Sequence, residues 1–238
     1  MINIFMELAK NEWNLFLLFF LLIIALIIFS EFILKKFWSS HTNRKIIHIT
    51  VGLAVSFTPY FFTLNHQPVL LAFIFLIINI FSHKNGFLKS FHSIGRESYG
   101  TIFFPISYLL LALLFWDYSN HITISFLILA IADPLASIIG ENVKSKISFN
   151  ILGDDKTLQG SIAMFVCSLV IILILSNHFF NNWDMTHKLM AAIIISIAVT
   201  IAEAVSYKGS DNLSIPITSF LFIELLHHID RNQIGFDY

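Results

Sequence analysis

Apolar residues in this chain do not alternate with polar ones. They come in long unbroken runs separated by short polar connectors, near 13–34, 46–64, 67–82, 101–116, 121–140, 158–176, 188–207 and 213–226. Continuous apolarity argues against barrel strands, which alternate between two faces, and predicts helices. The first run, Trp13 to Leu34, has 22 residues, enough to cross a hydrocarbon layer that needs roughly 20. It shows neither the shorter apolar core nor the small-residue cleavage site of a signal peptide, so it is expected to be a retained span. No solenoid period and no long Gly/Ser/Pro linker divides the chain. The expected architecture is all-α: a polytopic membrane helix bundle of about 7–8 transmembrane helices, with residues 1–238 forming one domain.

Composition agrees with the pattern. Hydrophobic residues make up 57% of the 238 and charged residues 12%, where a soluble domain carries about a quarter charged. A net charge of −1 gives no electrostatic case for a nucleic-acid partner. Cys167 is the single cysteine, so an intrachain disulfide is excluded and a small buried core residue is expected.

Charge then orients the bundle. With the N-terminus outside, the connectors at 35–45, 83–100, 141–157 and 208–212 face the cytoplasm and hold 11 of the 14 Lys and Arg. Lys10, Lys188 and Arg231 are left for the other side. That is the positive-inside bias. The outer connectors are short, so any chemistry is expected on the cytoplasmic side.

Ionisable groups inside spans cost a few kcal/mol and call for a reason. Asp133 lies in LAIADPLASIIGE, Glu203 in VTIAEAVSYKG and His48 in NRKIIHITVG. At 1.5 Å per residue, Asp133 is roughly 10 Å in from Gly140 and Glu203 roughly 6 Å in from Tyr207, both in the cytoplasmic half. His48 is about one turn inside its own span, at a similar depth. Pro134 removes a backbone donor and is expected to push Asp133 out of helical geometry, giving a broken helix beside a carboxylate.

The stretch FNILGDDKTLQGSIAMF, 149–165, places polarity at the mouth of an apolar run. It is not a Walker A loop. Its helix start at Thr157-Leu158-Gln159-Gly160 nevertheless favours an anion through free N–H groups and the positive dipole end. Lys156 adds a charge for phosphate, and Thr157 can cap the helix or meet a metal. Gly160 and Ser161 keep the first turn slim. Asp154 and Asp155 are expected to be solvated loop residues. In YKGSDNLSIP, 207–216, Asp211 and Asn212 offer hard oxygen ligands suited to Mg²⁺ beside a Gly209 turn.

Taken in order, RKIIHITVG at 44–52, RESYGTIFFP at 96–105, DPLASIIGE at 133–141, KTLQGS at 156–161 and SDNLSIP at 210–216 resemble the dolichol kinase/phytol kinase family. That family includes CTP-dependent diacylglycerol kinases and is related to phosphatidate cytidylyltransferases. The resemblance runs from residue 44 to about 220. It implies a polytopic enzyme that phosphorylates a membrane-embedded alcohol, with CTP as donor and Mg²⁺ as cofactor. By position, Asp133, Gly140, Lys156, Thr157, Gly160, Asp211 and Asn212 match the nucleotide and metal region. Arg44, Lys45, His48 and Gly52 match the first signature, and Arg96 opens the second. The chain departs from the family at Gln159, where Glu is usual, and at the NVKSK that follows Gly140-Glu141.

These readings meet in one expected scheme. Arg44, Lys45, Arg96, Gly140, Lys156, Thr157 and Gly160 bind the nucleotide triphosphate. Asp133, Asp211 and Asn212 hold Mg²⁺, and Asp133, Glu203 and His48 are the catalytic candidates. The acceptor is a lipid alcohol such as phytol, geranylgeraniol or a polyprenol, and the setting is a prokaryotic plasma membrane with the site facing the cytoplasm. Three alternatives stand beside it: a phosphatidate cytidylyltransferase that makes a CDP-lipid, an ion-coupled transporter, and a non-catalytic relative.

Overall fold

The computed structural model describes residues 11–85, 98–180 and 183–234. The chain folds as an all-α bundle with one small β-hairpin. Helices α1 (Glu12–Phe32), α2 (Ser40–Ser56), α3 (His66–Asn85) and α4 (Gly100–Leu114) come first. A 27-residue helical stretch follows, Trp116–Asn142, containing α5 (Ser119–Leu127), a π-helical segment (Ile128–Ala132) and α6 (Asp133–Asn142). Strands β1 (Ser148–Asn150) and β2 (Asp155–Thr157) pair antiparallel, then α7 (Leu158–Phe179), α8 (Met185–Ala204) and α9 (Asp211–Ile234) complete the chain. Each apolar run became a helix.

Five helices are long and apolar enough to cross a membrane: Glu12–Phe32, His66–Asn85, Trp116–Asn142, Leu158–Asn177 and Met185–Ala204. Among the described residues the runs at 46–64, 101–116 and 213–226 do not reach that standard. Helix α2 spends its first turns on Ser40 to Lys45, and α4 has only 15 residues. Outward faces remain apolar, as with Phe32, Phe81 and Ile174, which are exposed.

The stretch α5–π–α6 sits at the centre. Ile122, Ile124, Phe126, Ile128, Leu129, Ala130 and Ala132 are fully buried, because a helix that is apolar all round must be covered on every side. Around it pack α2, α7 and α9, while α3 lies against α4 and α8 lies between α7 and α9. Cys167 is only half-buried and packs at the edge of the core.

The expected break at Asp133 is absent. Asp133 keeps right-handed helical angles, φ −62° and ψ −51°, and the irregularity lies one turn earlier, in the π segment. A π turn pairs a carbonyl with the N–H five residues on. For Leu129 that partner is Pro134, which has none. The stranded Leu129 carbonyl is taken instead by His48 Nε2 at 3.0 Å. A carbonyl only accepts, so Nε2 carries the proton.

Helix α2 can approach the π segment only because residue 52 is glycine. A Cβ there would stand 2.6 Å from the Cβ of Ala130 and 3.2 Å from its Cα. Small residues of this kind let membrane-type helices close up. Gly52→Val is expected to overpack this crossing and to destabilise by about 1–3 kcal/mol. The check is the unfolding midpoint of the purified protein in detergent; Gly52→Ala should lose less, and Ala130→Gly should recover part of that loss.

Candidate active site

Four connectors meet at one end of the bundle. Tyr99 N donates to Lys208 O at 2.8 Å, joining the start of α4 to the turn before α9. Lys208 N donates to Asp154 Oδ2 at 2.9 Å, joining that turn to the hairpin. Lys45 Nζ meets Glu141 Oε2 at 2.5 Å, joining α2 to the end of α6. Between them opens a cavity of about 690 Å³ lined by Arg44, His48, Asp133, Lys156, Glu203 and Asp211, among others.

The hairpin positions Lys156. Its register pairs Phe149 with Lys156, and successive side chains on a strand point to opposite faces. Asp155 is exposed, bonded to Asn150 Nδ2 at 3.0 Å, while Lys156 turns inward. Its Nζ lies 2.5 Å from Glu203 Oε1, 3.1 Å from Ser206 Oγ and 3.8 Å from Asp211 Oδ2. Burial alone would lower the Lys156 pKa, but the carboxylates of Asp211, Glu203 and Asp133 outweigh it and hold the ammonium above its ordinary value. The side chain therefore stays charged through neutral pH and loses its proton only as pH rises past the usual lysine range.

Asp133 is poised differently. No hydrogen bond from the described residues reaches its carboxylate, and His48 Nε2 stands 3.9 Å from its Oδ2. Asp211 accepts from Asn212 N at 2.9 Å and from Asn212 Nδ2 at 3.0 Å through Oδ1, leaving Oδ2 toward Lys156. Arg44 lines the cavity without an ion pair to another described residue.

Other candidates have a structural reason for their place. Lys45 is buried and committed to Glu141, which also accepts from Ser137 Oγ at 2.9 Å and lies 3.2 Å from His41 Nε2. Thr157 caps α7 by accepting from Gly160 N at 3.1 Å, and Leu158 N is taken by Ile147 O at 2.9 Å. The first turn of α7 thus has fewer open N–H groups than its sequence suggested. Gly140 and Gly160 face each other where α6 crosses α7, and a Cβ on Gly160 would stand 3.1 Å from Ala136 O. Gln159 bridges with both ends of its amide, accepting from Ile147 N at 3.1 Å and donating to Ser145 O at 3.0 Å. A carboxylate could not make the second bond. Arg96 lies outside the described residues.

Asp154 corrects the sequence reading. It is buried, not solvated, and its bond to Lys208 N fixes a turn in which Lys208 has φ 49° and Gly209 φ 87°. Left-handed backbone at a non-glycine residue is strained and needs such an anchor. A Cβ on Gly209 would stand 2.8 Å from Gly100 Cα, so only glycine fits between the turn and α4. Glu141 and Ser206 also escaped the sequence reading. The one available signal was the Asn150-x-x-Gly153 turn, where Asn150 Oδ1 accepts from Gly153 N at 2.8 Å.

No family model matches the chain, and no solved structure does. Curated relatives do. The phytol kinase of Synechocystis sp. is 28% identical over 185 residues, covering 76% of this chain and 78% of that protein. Phytol kinase 1, chloroplastic, of Arabidopsis thaliana is 28% identical over 200 residues, covering 75% of this chain and 64% of the relative. An uncharacterized protein of Rickettsia prowazekii is 28% identical over 206 residues, covering 79% of this chain and 95% of its own length. With the ordered motifs gathered around one cavity, the chain is similar to phytol kinases along most of its length.

Proposed function

We propose that the chain is a membrane-embedded lipid-alcohol kinase that transfers the γ-phosphoryl group of CTP to a prenyl alcohol such as phytol, geranylgeraniol or a polyprenol. The carrying observation is one cavity that joins a buried lysine–carboxylate cluster to apolar space. Relatives named phytol kinase support the alcohol acceptor, while CTP rests on the family resemblance. The five long apolar helices support membrane embedding. The basic connectors support a site that faces the cytoplasm.

Phosphoryl transfer asks for neutralised phosphates, a fixed metal and an in-line hydroxyl. Lys156, with Arg44 from the facing helix, holds the donor phosphates. Asp133 and Asp211, aided by Asn212, are suited to Mg²⁺. Among the described residues no group of three or more His, Cys, Asp or Glu forms a metal cage. When bound, Mg²⁺ would neutralise charge on the phosphate oxygens. Asp133 is the better base, because Glu203 is already bonded to Lys156 at 2.5 Å. The acceptor's O–H proton passes to Asp133 as its oxygen bonds to the γ-phosphorus. The bond from that phosphorus to the β-phosphate oxygen breaks and CDP leaves. His48 positions the helix that carries Asp133 by holding the Leu129 carbonyl.

Two experiments test this. Purified protein supplied with labelled CTP and a panel of prenyl alcohols should yield a phospho-alcohol and CDP; a CDP-lipid with pyrophosphate would overturn the kinase reading. In the same assay Asp133→Asn is expected to lose about 10²–10⁴-fold in kcat, with membrane insertion retained. Removing one partner of a buried pair costs about 3–5 kcal/mol, so Lys156→Met should lower the unfolding midpoint as well as activity. Adding Glu203→Gln should restore part of the stability and none of the turnover, which separates the structural role of Lys156 from its role toward phosphate.

A further inference from the structure

The cavity does not end at its carboxylates. Beyond Asp133 it continues between α1, α2, α3 and α4, walled by Val51, Val55, Phe75 and Phe104. Lining positions recur four apart on each of these helices, Ile23 and Ile27, Val51 and Val55, Leu71 and Phe75, Phe104 and Tyr108, so they line one slot running along the bundle. On α4 the slot extends from Gly100 to Tyr108, roughly 12 Å at 1.5 Å per residue.

Tyr108 is the lining residue of α4 farthest from Gly100, and Thr58 the farthest from Arg44 along the chain of α2 and the turn after it. Tyr108 is buried, and its hydroxyl bonds to Thr58 Oγ1. Thr58 donates its own proton to Val55 O at 2.6 Å, so the tyrosine hydroxyl is the donor of the pair. Phe126 packs edge-on against the Tyr108 ring at a centroid distance of 5.1 Å. Held at its hydroxyl and on its ring, Tyr108 cannot swing aside.

We infer that this arm holds the aliphatic tail of the acceptor alcohol and that Tyr108 is the floor that sets the tail length accepted. The inference rests on the kinase reading above. An amphiphile whose hydroxyl reaches Asp133 has its tail directed into the apolar continuation of the same cavity. Apolar walls of this kind stay dry, and each methylene withdrawn from water adds to affinity until the chain meets the ring.

The test uses the full chain in detergent, CTP and saturated isoprenoid alcohols of increasing length. Wild-type kcat/KM should rise with length and then fall. Tyr108→Ala should move the maximum to longer tails, changing the long-to-short ratio at least about tenfold, whereas Tyr108→Phe, which keeps the ring, should hold the wild-type profile. Identical length profiles for wild type and Tyr108→Ala would overturn the inference and leave the kinase reading standing. Wild-type protein that phosphorylates no alcohol would overturn both. A readout independent of any variant is photo-crosslinking with an alcohol bearing a diazirine at its tail end. Label at Tyr108 or Thr58 supports the floor, and label spread over the outer faces of α1 and α7 sinks it.

Discussion

Charge buried in an apolar bundle is the constraint on which this structure turns. Asp133, Glu203 and Asp211 come from three different helices and meet the single ammonium of Lys156. Each ion would be costly on its own at this depth, and together they are tolerable only because the geometry is close. The surrounding elements serve that meeting. A hairpin turns Lys156 inward, a latch from Asp154 fixes the turn before Asp211, and glycines at 52, 140 and 160 let the helices close around the cluster.

The cluster is richer in carboxylates than in cations. Three acidic groups face one lysine, with Arg44 nearby but unpaired to another described residue. Such an imbalance around Lys156 is what the proposed uptake of a metal–nucleotide would offset, since that substrate carries its own cation. Asp133 is singled out by what it lacks: Glu203 and Asp211 are bonded to neighbours, while the Asp133 carboxylate faces the cavity with no described donor.

The π segment explains how Asp133 is aimed. Proline after aspartate at membrane depth reads as a helix break, yet the helix continues. The strain moved one turn upstream, where a π turn absorbed the missing N–H of Pro134 and left the Leu129 carbonyl to His48. The same histidine stands near Asp133. A backbone irregularity, its side-chain repair and the catalytic candidate thus form one unit, in keeping with the frequent use of π bulges at functional sites.

Much of this was legible in the chain. Unbroken apolar runs fixed the helical class and nearly every helix, because hydropathy over twenty residues outweighs local detail. Asp133, Glu203, Lys156 and Asp211 were visible as polar residues out of place, since burying charge needs a reason. Tertiary structure alone decided the pairings. Lys45 and Glu141 are 96 positions apart, and Asp154 meets a backbone N–H 54 positions away, contacts without local periodicity to announce them. It also decided that the helix passes through Asp133 unbroken and that Tyr108 lines the same cavity as Asp133. Local sequence sets which segments become helices, but which faces meet, and what polar groups they strand or satisfy, is settled only when the helices pack.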